Sequence, residues 1–195
     1  IIELAKEMKC DIVTTHIGVV PSDMNNPRWD VLAEACEKLG AFAQDMGARF
    51  AIETGPEKAA VLNKFLSSLR TKGIGVNYDP ANLVMVTGDD PAEGVGILKD
   101  HIVHTHAKDG IMLKQTDPEV IYNYFAEGGI EDINLKEYFL ETPLGQGKVD
   151  FVKYLGALKK AGYNGFLTIE REVGDSPEAD IGLAVDFLRR IGGGL

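Results

Sequence analysis

Ile102-Val103-His104-Thr105-His106-Ala107-Lys108-Asp109 is a short β-prone run that delivers ionisable side chains to its own end. Strand alternation puts residues 102, 104 and 106 on one face, so His104 and His106 look into the same space. The same rule repeats outward along the chain. Arg49–Thr54 reads as a strand ending at Glu53, and Ile74–Asp79 as one ending at Asp79 with Asn77 on the same face. Phe166–Glu170 ends at Glu170, which shares a face with Thr168 and, by continuation, Glu172. Asp11–Thr15 runs into His16, and Tyr138–Thr142 is a weaker sixth strand.

Helical periodicity fills the gaps. The expected helices are Ile1–Lys9, Trp29–Met46, Glu57–Thr71, Pro91–Lys99, a segment capped by Asp150 and running to Lys160, and Pro177–Ile191. In the second of these the apolar stripe is Val31, Leu32, Ala35, Leu39, Phe42 and Met46, with Gly47 as its stop. A long polar loop is expected from about Gly110 to Glu137. Six βα units without a break in composition predict a single α/β domain over residues 1–195. Crossover helices between strands predict a parallel sheet. Six units are two short of a closed (β/α)₈ TIM barrel. An open doubly wound sheet is the alternative, but Thr15-His16-Ile17-Gly18-Val19-Val20-Pro21 is not its Gly-rich phosphate turn.

In a parallel barrel all strand ends converge on one face, where barrel active sites are built. Carboxylates brought together there would repel one another and take up protons unless a cation compensated them. A divalent metal does so. One His with three carboxylates is an oxygen-rich, mostly hard set that suits Mn²⁺ first, then Mg²⁺, with Co²⁺, Fe²⁺ or Zn²⁺ as further candidates.

Bulk properties narrow the classes. The 195 residues are 45% apolar, enough for a core, and carry a net charge of −10. That charge repels phosphate backbones and anionic membranes, so neither nucleic acid nor membrane is an expected partner. No apolar run approaches the roughly 20 residues needed to span a bilayer. The opening segment, with acids and bases inside its apolar pattern, does not read as a signal peptide. Cys10 and Cys36 have no metal-type spacing and read as small buried hydrophobes of a reduced, cytoplasmic chain. Gly145-Gln146-Gly147 lacks the Lys-Ser/Thr of a P-loop and reads as a tight turn. Lys108-Asp109 can be read as a loop salt bridge, and Trp29 as lining the mouth or a partner surface, or as core.

Five segments stand in order: Ala51-Ile52-Glu53-Thr54, Asn77-Tyr78-Asp79-Pro80-Ala81-Asn82-Leu83, His104-Thr105-His106-Ala107-Lys108-Asp109, Pro143-Leu144-Gly145-Gln146-Gly147 and Leu167-Thr168-Ile169-Glu170-Arg171-Glu172. Together they resemble the sugar phosphate isomerase/epimerase family of the xylose isomerase-like TIM barrel superfamily. The resemblance implies that Glu53, Asp79, His106 and Glu170 close barrel strands four, five, six and eight as metal ligands, with the first two strands absent here. It implies that Glu53 and Glu170 also move protons on opposite faces of a carbohydrate substrate, through an enediolate. His16, His104, Lys108, Asn82 and Glu172 are the implied substrate contacts. Some ketose epimerases carry a His where this chain has Asn82.

The resulting expectation is a metal-dependent isomerase or epimerase of a sugar, sugar phosphate or cyclitol. Alternatives are a metal-dependent lyase or dehydratase on a keto-sugar or inosose, and a non-catalytic truncated barrel. A DNA-repair endonuclease, the activity of some relatives, fits poorly with four His and a charge of −10. The expected six-strand arc would expose two edges. The chain is therefore expected to be part of a longer polypeptide or to complete itself through another chain, for instance as a homo-oligomer.

Overall fold

The computed structural model describes residues 1–126 and 134–192. The strands are β1 (Ile12–Thr15), β2 (Arg49–Glu53), β3 (Ile74–Tyr78), β4 (Ile102–Ala107), β5 (Asp109–Met112), β6 (Phe139–Thr142) and β7 (Leu167–Ile169). β1, β2, β3, β4 and β7 form one parallel sheet in that spatial order. Spatial order follows chain order without reversal, so the sheet is an arc of a barrel and has no doubly wound switch point. The sixth expected strand behaves differently: β6 leaves the arc and pairs antiparallel with β5. The expected loop from Gly110 to Glu137 accordingly begins in β5 and contains helix α6 (Pro118–Ala126) and a 3₁₀ turn at Leu135–Glu137. Its part at 127–133 lies outside the described residues.

The remaining helices are α1 (Ile2–Glu7), α2 (Pro27–Asp45), α3 (Ala59–Ser68), α4 (Pro80–Asn82), α5 (Pro91–Leu98), α7 (Phe151–Lys160) and α8 (Pro177–Gly192). Asn26, Asp90 and Asp150 cap α2, α5 and α7 by accepting first-turn N–H groups, which sets where those helices start. A π-helical turn at Leu83–Thr87 follows α4 and ends at Gly88, whose φ is +71°. No helix among the described residues is long and apolar enough to cross a membrane.

The core lies between the convex face of the arc and the helices. Val76 and Tyr78 point outward into it, and Tyr78 stacks on Tyr154 with ring centroids 5.7 Å apart. Trp29 belongs to this core, edge-on to Phe65 at 5.2 Å. α2 buries Trp29, Leu32, Cys36, Gly40 and Ala43, while Val31, Leu39 and Phe42 of the expected stripe are exposed. Close approach explains the rotated face. A Cβ on Gly73 would sit 1.8 Å from the Gly40 carbonyl oxygen, so only the small-residue side of α2 fits there. Cys36 is buried, but Cys10 is exposed, contrary to expectation.

The alternation expected in β4 also needs correction. Val76 pairs with Ile102 but Asn77 pairs with His104, so β4 carries one extra residue at this point. Ile102 packs against the core instead of sharing the face of His104 and His106. The two His rings remain neighbours, edge-on at 6.1 Å.

Candidate metal centre

Hydrogen bonds fix the ends of four strands, β2, β3, β4 and β7. Thr54 Oγ1 donates to the Asp79 carbonyl at 2.9 Å and accepts the Asp79 N–H at 2.8 Å, tying the end of β2 to that of β3. The Tyr154 hydroxyl donates to the His106 carbonyl at 3.2 Å, holding the end of β4 to α7. Backbone pairing brings Glu170 beside β4, its N–H donating to the Ala107 carbonyl at 3.2 Å.

On this frame Glu53, Asp79, His106 and Glu170 converge, with one potential ligand atom from each lying within 4.8 Å of all the others. His106 Nδ1 faces Glu170 at 3.2 Å, Asp79 at 3.3 Å and Glu53 at 3.9 Å. Asp79 is wholly buried and divides its oxygens. Oδ1 accepts the N–H groups of Ala81 and Asn82 at the start of α4, and Oδ2 turns to His106. Glu53 is oriented by two amides, Asn82 Nδ2 on Oε1 and Asn77 Nδ2 on Oε2, each at 3.0 Å.

The electrostatics of the cluster follow from burial and from its charged neighbours. Burial pushes the Asp79 carboxyl up, outweighing the pull of His106 and Lys108. Burial alone would lower the His106 ring, but hydrogen bonds and charge from Asp79 and Glu170 carry it up to about 10. The Asn77 Oδ1 atom is buried with no hydrogen-bond partner. Three carboxylates share one imidazole. A divalent cation with hard oxygen preference fits this donor set, since three carboxylates converge on one imidazole with Lys108 reaching only Glu170 among them.

The other expected residues fall into three positions. His16 follows β1 with its Nε2 3.5 Å from Glu53 Oε1, and its side chain is 44% exposed at the mouth. Glu53 raises the His16 ring above its ordinary value against the opposing effect of burial. Asn82 acts on Glu53, as above. His104 sits one step down the barrel interior, with Nε2 2.8 Å from Thr168 Oγ1 and its ring held low by burial and then by His106.

Lys108 is buried, and its ammonium meets Glu170 at 2.9 Å, Glu141 at 3.7 Å and Glu172. These three carboxylates already neutralise it. The expected Lys108-Asp109 pair does not form. Asp109 instead accepts the N–H groups of Gly110, Gly145, Gly147 and Val149 at 2.8–3.0 Å. That carboxylate occupies the Gly145-Gln146-Gly147 turn, and a Cβ on Gly147 would lie 2.1 Å from Asp109 Oδ1. Arg171 is paired with Glu141 at 2.8 Å and with Asp180 of α8 at 2.7 Å.

Sequence reasoning missed Glu57, a carboxyl buried in the loop after β2. Its Oε2 accepts the Val20 N–H at 3.0 Å, joining this loop to the one carrying His16, while Oε1 has no partner. Burial pushes its pKa up to about 8. A carboxyl raised in the folded state favours folding fully below its ordinary value of 4.5, and this contribution is lost as pH rises toward 8. Glu57→Gln keeps the acceptor and cannot ionise. It is expected to be more stable than wild type at about pH 8.5, by on the order of a few kcal/mol, and equal to it near pH 4.5. Thermal melts at the two pH values check this; a gap independent of pH would contradict it.

Comparison with known proteins agrees with the barrel arc. A family model described as the xylose isomerase-like TIM barrel matches residues 1–191. An uncharacterized protein of Methanocaldococcus jannaschii is 26% identical over 184 residues, covering 88% of this chain and 54% of that protein. The inosose dehydratase of Lacticaseibacillus casei is 26% identical over 148 residues, covering 74% of this chain and 47% of the dehydratase. The crystal structure of a xylose isomerase domain protein from Planctomyces limnophilus superposes with a TM-score of 0.77 at 28% identity, over 97% of this chain and 60% of that one. The chain thus spans about half the length of the curated relatives it matches.

Proposed function

Because the chain belongs to the xylose isomerase-like TIM barrel family, we propose that it is a metal-dependent isomerase or epimerase of a sugar, sugar phosphate or cyclitol. The observation that carries this reading is a carboxylate on each side of the Asp79–His106 pair: Glu53 from β2 and Glu170 after β7. Glu53, Asp79, His106 and Glu170 would hold the cation, with Mn²⁺ or Mg²⁺ suited to the donor set. The cation, when bound, supplies a Lewis acid that polarises a substrate carbonyl and acidifies the neighbouring C–H.

The chain's own residues do the rest. One of the two glutamates takes the proton next to the carbonyl and the other returns one, to the opposite face or to the adjacent carbon. Burial would raise Glu170, but hydrogen bonding and charge from His106 and Lys108 hold it well below the usual carboxylate range, so it stays ionised and aimed. Asn77 and Asn82 do the aiming for Glu53. His16 and Glu172, exposed at the mouth, meet substrate oxygens. Lys108 and His104 act one step back, through Glu170 and beneath His106.

A second reading, dehydration of a keto-cyclitol or keto-sugar, is favoured by the identity with inosose dehydratase. It uses the same proton abstraction followed by loss of a β-hydroxyl. Incubation of the Mn²⁺-loaded protein with ketohexoses and inososes in D₂O separates the two. The primary reading predicts an epimer or isomer carrying deuterium next to the carbonyl. Dehydration gives an ultraviolet-absorbing enone. Glu170→Gln is expected to slow either reaction by about 10²–10⁴-fold. Metal-loaded protein giving neither deuterium incorporation nor an enone on any of these substrates would overturn the proposal.

A further inference from the structure

Helix α6 does not belong to the barrel arc, yet its Tyr122 reaches His16 beside the candidate site. Ile121 anchors the helix in the core at 2% exposure, and Tyr122 packs against that core with its ring beside His16. The Tyr122 ring lies 5.6 Å from that of His16, which itself touches Glu53. Its phenol is subject to the charges of Asp79, Glu53, Glu57 and Glu172, which come from β3, β2, the loop after β2 and the segment after β7. The Tyr122 hydroxyl and Asn82, whose amide holds Glu53, both crowd the α-carbon of Gly55 just past the end of β2.

Gly55 leaves the room for it. A Cβ there would sit 2.8 Å from the Tyr122 hydroxyl and 2.4 Å from Asn82 Cβ, and its φ of +132° already favours glycine. Burial, followed by the surrounding carboxylates, pushes the Tyr122 phenol well above its ordinary value. A phenol hydroxyl is in any case neutral near pH 7, so it can donate a hydrogen bond beside residues that are mostly acceptors. Donors are what a polyhydroxylated ligand needs on that side, because the ligand's own hydroxyls can serve the carboxylates.

We propose that Tyr122 is a substrate-contacting residue: with His16 it forms a subsite above Glu53, and its hydroxyl hydrogen-bonds a hydroxyl of a polyol-type ketone. This rests on the proposed metal-dependent reading. It adds a contact from outside the barrel strands, on a helix inserted between β5 and β6, where substrate selectivity can vary without disturbing the metal ligands.

The test uses 3-fluorotyrosine-labelled protein and ¹⁹F NMR, with the Tyr122 signal assigned by its loss in Tyr122→Phe. Mn²⁺ is expected to broaden this signal strongly while that of Tyr163, at the opposite end of the sheet, persists. With Mg²⁺ in place of Mn²⁺, D-fructose or an inosose is expected to shift the Tyr122 signal. Tyr122→Phe should weaken binding of that ketone about 5–15-fold, the loss of one net hydrogen bond, and leave Mn²⁺ affinity within about twofold. Metal binding without broadening at Tyr122, or ketone affinity unchanged in Tyr122→Phe, would overturn the subsite alone. Broadening with no shift by either ketone would also overturn it. Absence of metal binding by the wild type would instead overturn the reading beneath it.

Discussion

Lys108→Met is expected to lower folding stability by about 3–5 kcal/mol near pH 7, because it removes a buried cation and leaves its carboxylate partners uncompensated. Lys108 is 4% exposed and faces Glu141, Glu170 and Glu172. Glu172 can turn to solvent, and Glu141 keeps Arg171. Glu170 is left with His106, which already serves Asp79. The sign with pH follows from Glu170. A carboxylate held below its ordinary value stabilises the fold fully above about 4.5, and the contribution is lost as pH falls through the depressed value. The substitution shrinks that contribution, so the gap between wild type and variant should narrow as pH drops below 4.5. Urea denaturation across this range measures it. A loss under about 1 kcal/mol near pH 7 would show the network to be loosely coupled.

The second large effect is on metal affinity. Asp79→Asn keeps the size of the side chain and an oxygen that can still accept from Ala81 and Asn82, but removes a charge from the centre of the cluster. Removing partners that merely orient ligands typically costs about 10–100-fold in metal affinity, and a direct ligand should cost at least as much. Stability reads the same event. Metal at 100 times its dissociation constant should stabilise the wild type by about 2.7 kcal/mol, and Asp79→Asn should lose most of that gain. Equal stabilisation of both proteins by Mn²⁺ would place the ion elsewhere.

Strand ends were legible because each obeys a local rule: a β-prone run, an ionisable residue at its end, then a turn. Glu53, Asp79, His106 and Glu170 satisfy it independently, and the parallel sheet brings them together. What escaped depends on partners distant in sequence. The buried face of α2 is set by contact of Gly40 with Gly73, which no periodicity within Trp29–Met46 reveals. β6 is legible as a short strand, but its partner β5 and its antiparallel pairing outside the arc show only when the two meet. The extra residue in β4 is visible only against β3. Asp109 looked like half of a loop ion pair until the N–H groups of Gly145, Gly147 and Val149 closed around it. Tyr122 stands in the mostly apolar run Val120–Ala126 inside a segment expected as a polar loop, and only its contact with His16 ties it to the site.

The central claim is a divalent cation held by Glu53, Asp79, His106 and Glu170. Titration of metal-stripped protein with Mn²⁺, followed by the loss of the free-ion electron paramagnetic resonance signal, tests it most directly. The account predicts one tight site per chain in the wild type and weakening of at least about 100-fold in Glu53→Gln, Asp79→Asn and Glu170→Gln alike. A wild type that leaves millimolar Mn²⁺ free, or three variants that bind as the wild type does, would contradict it.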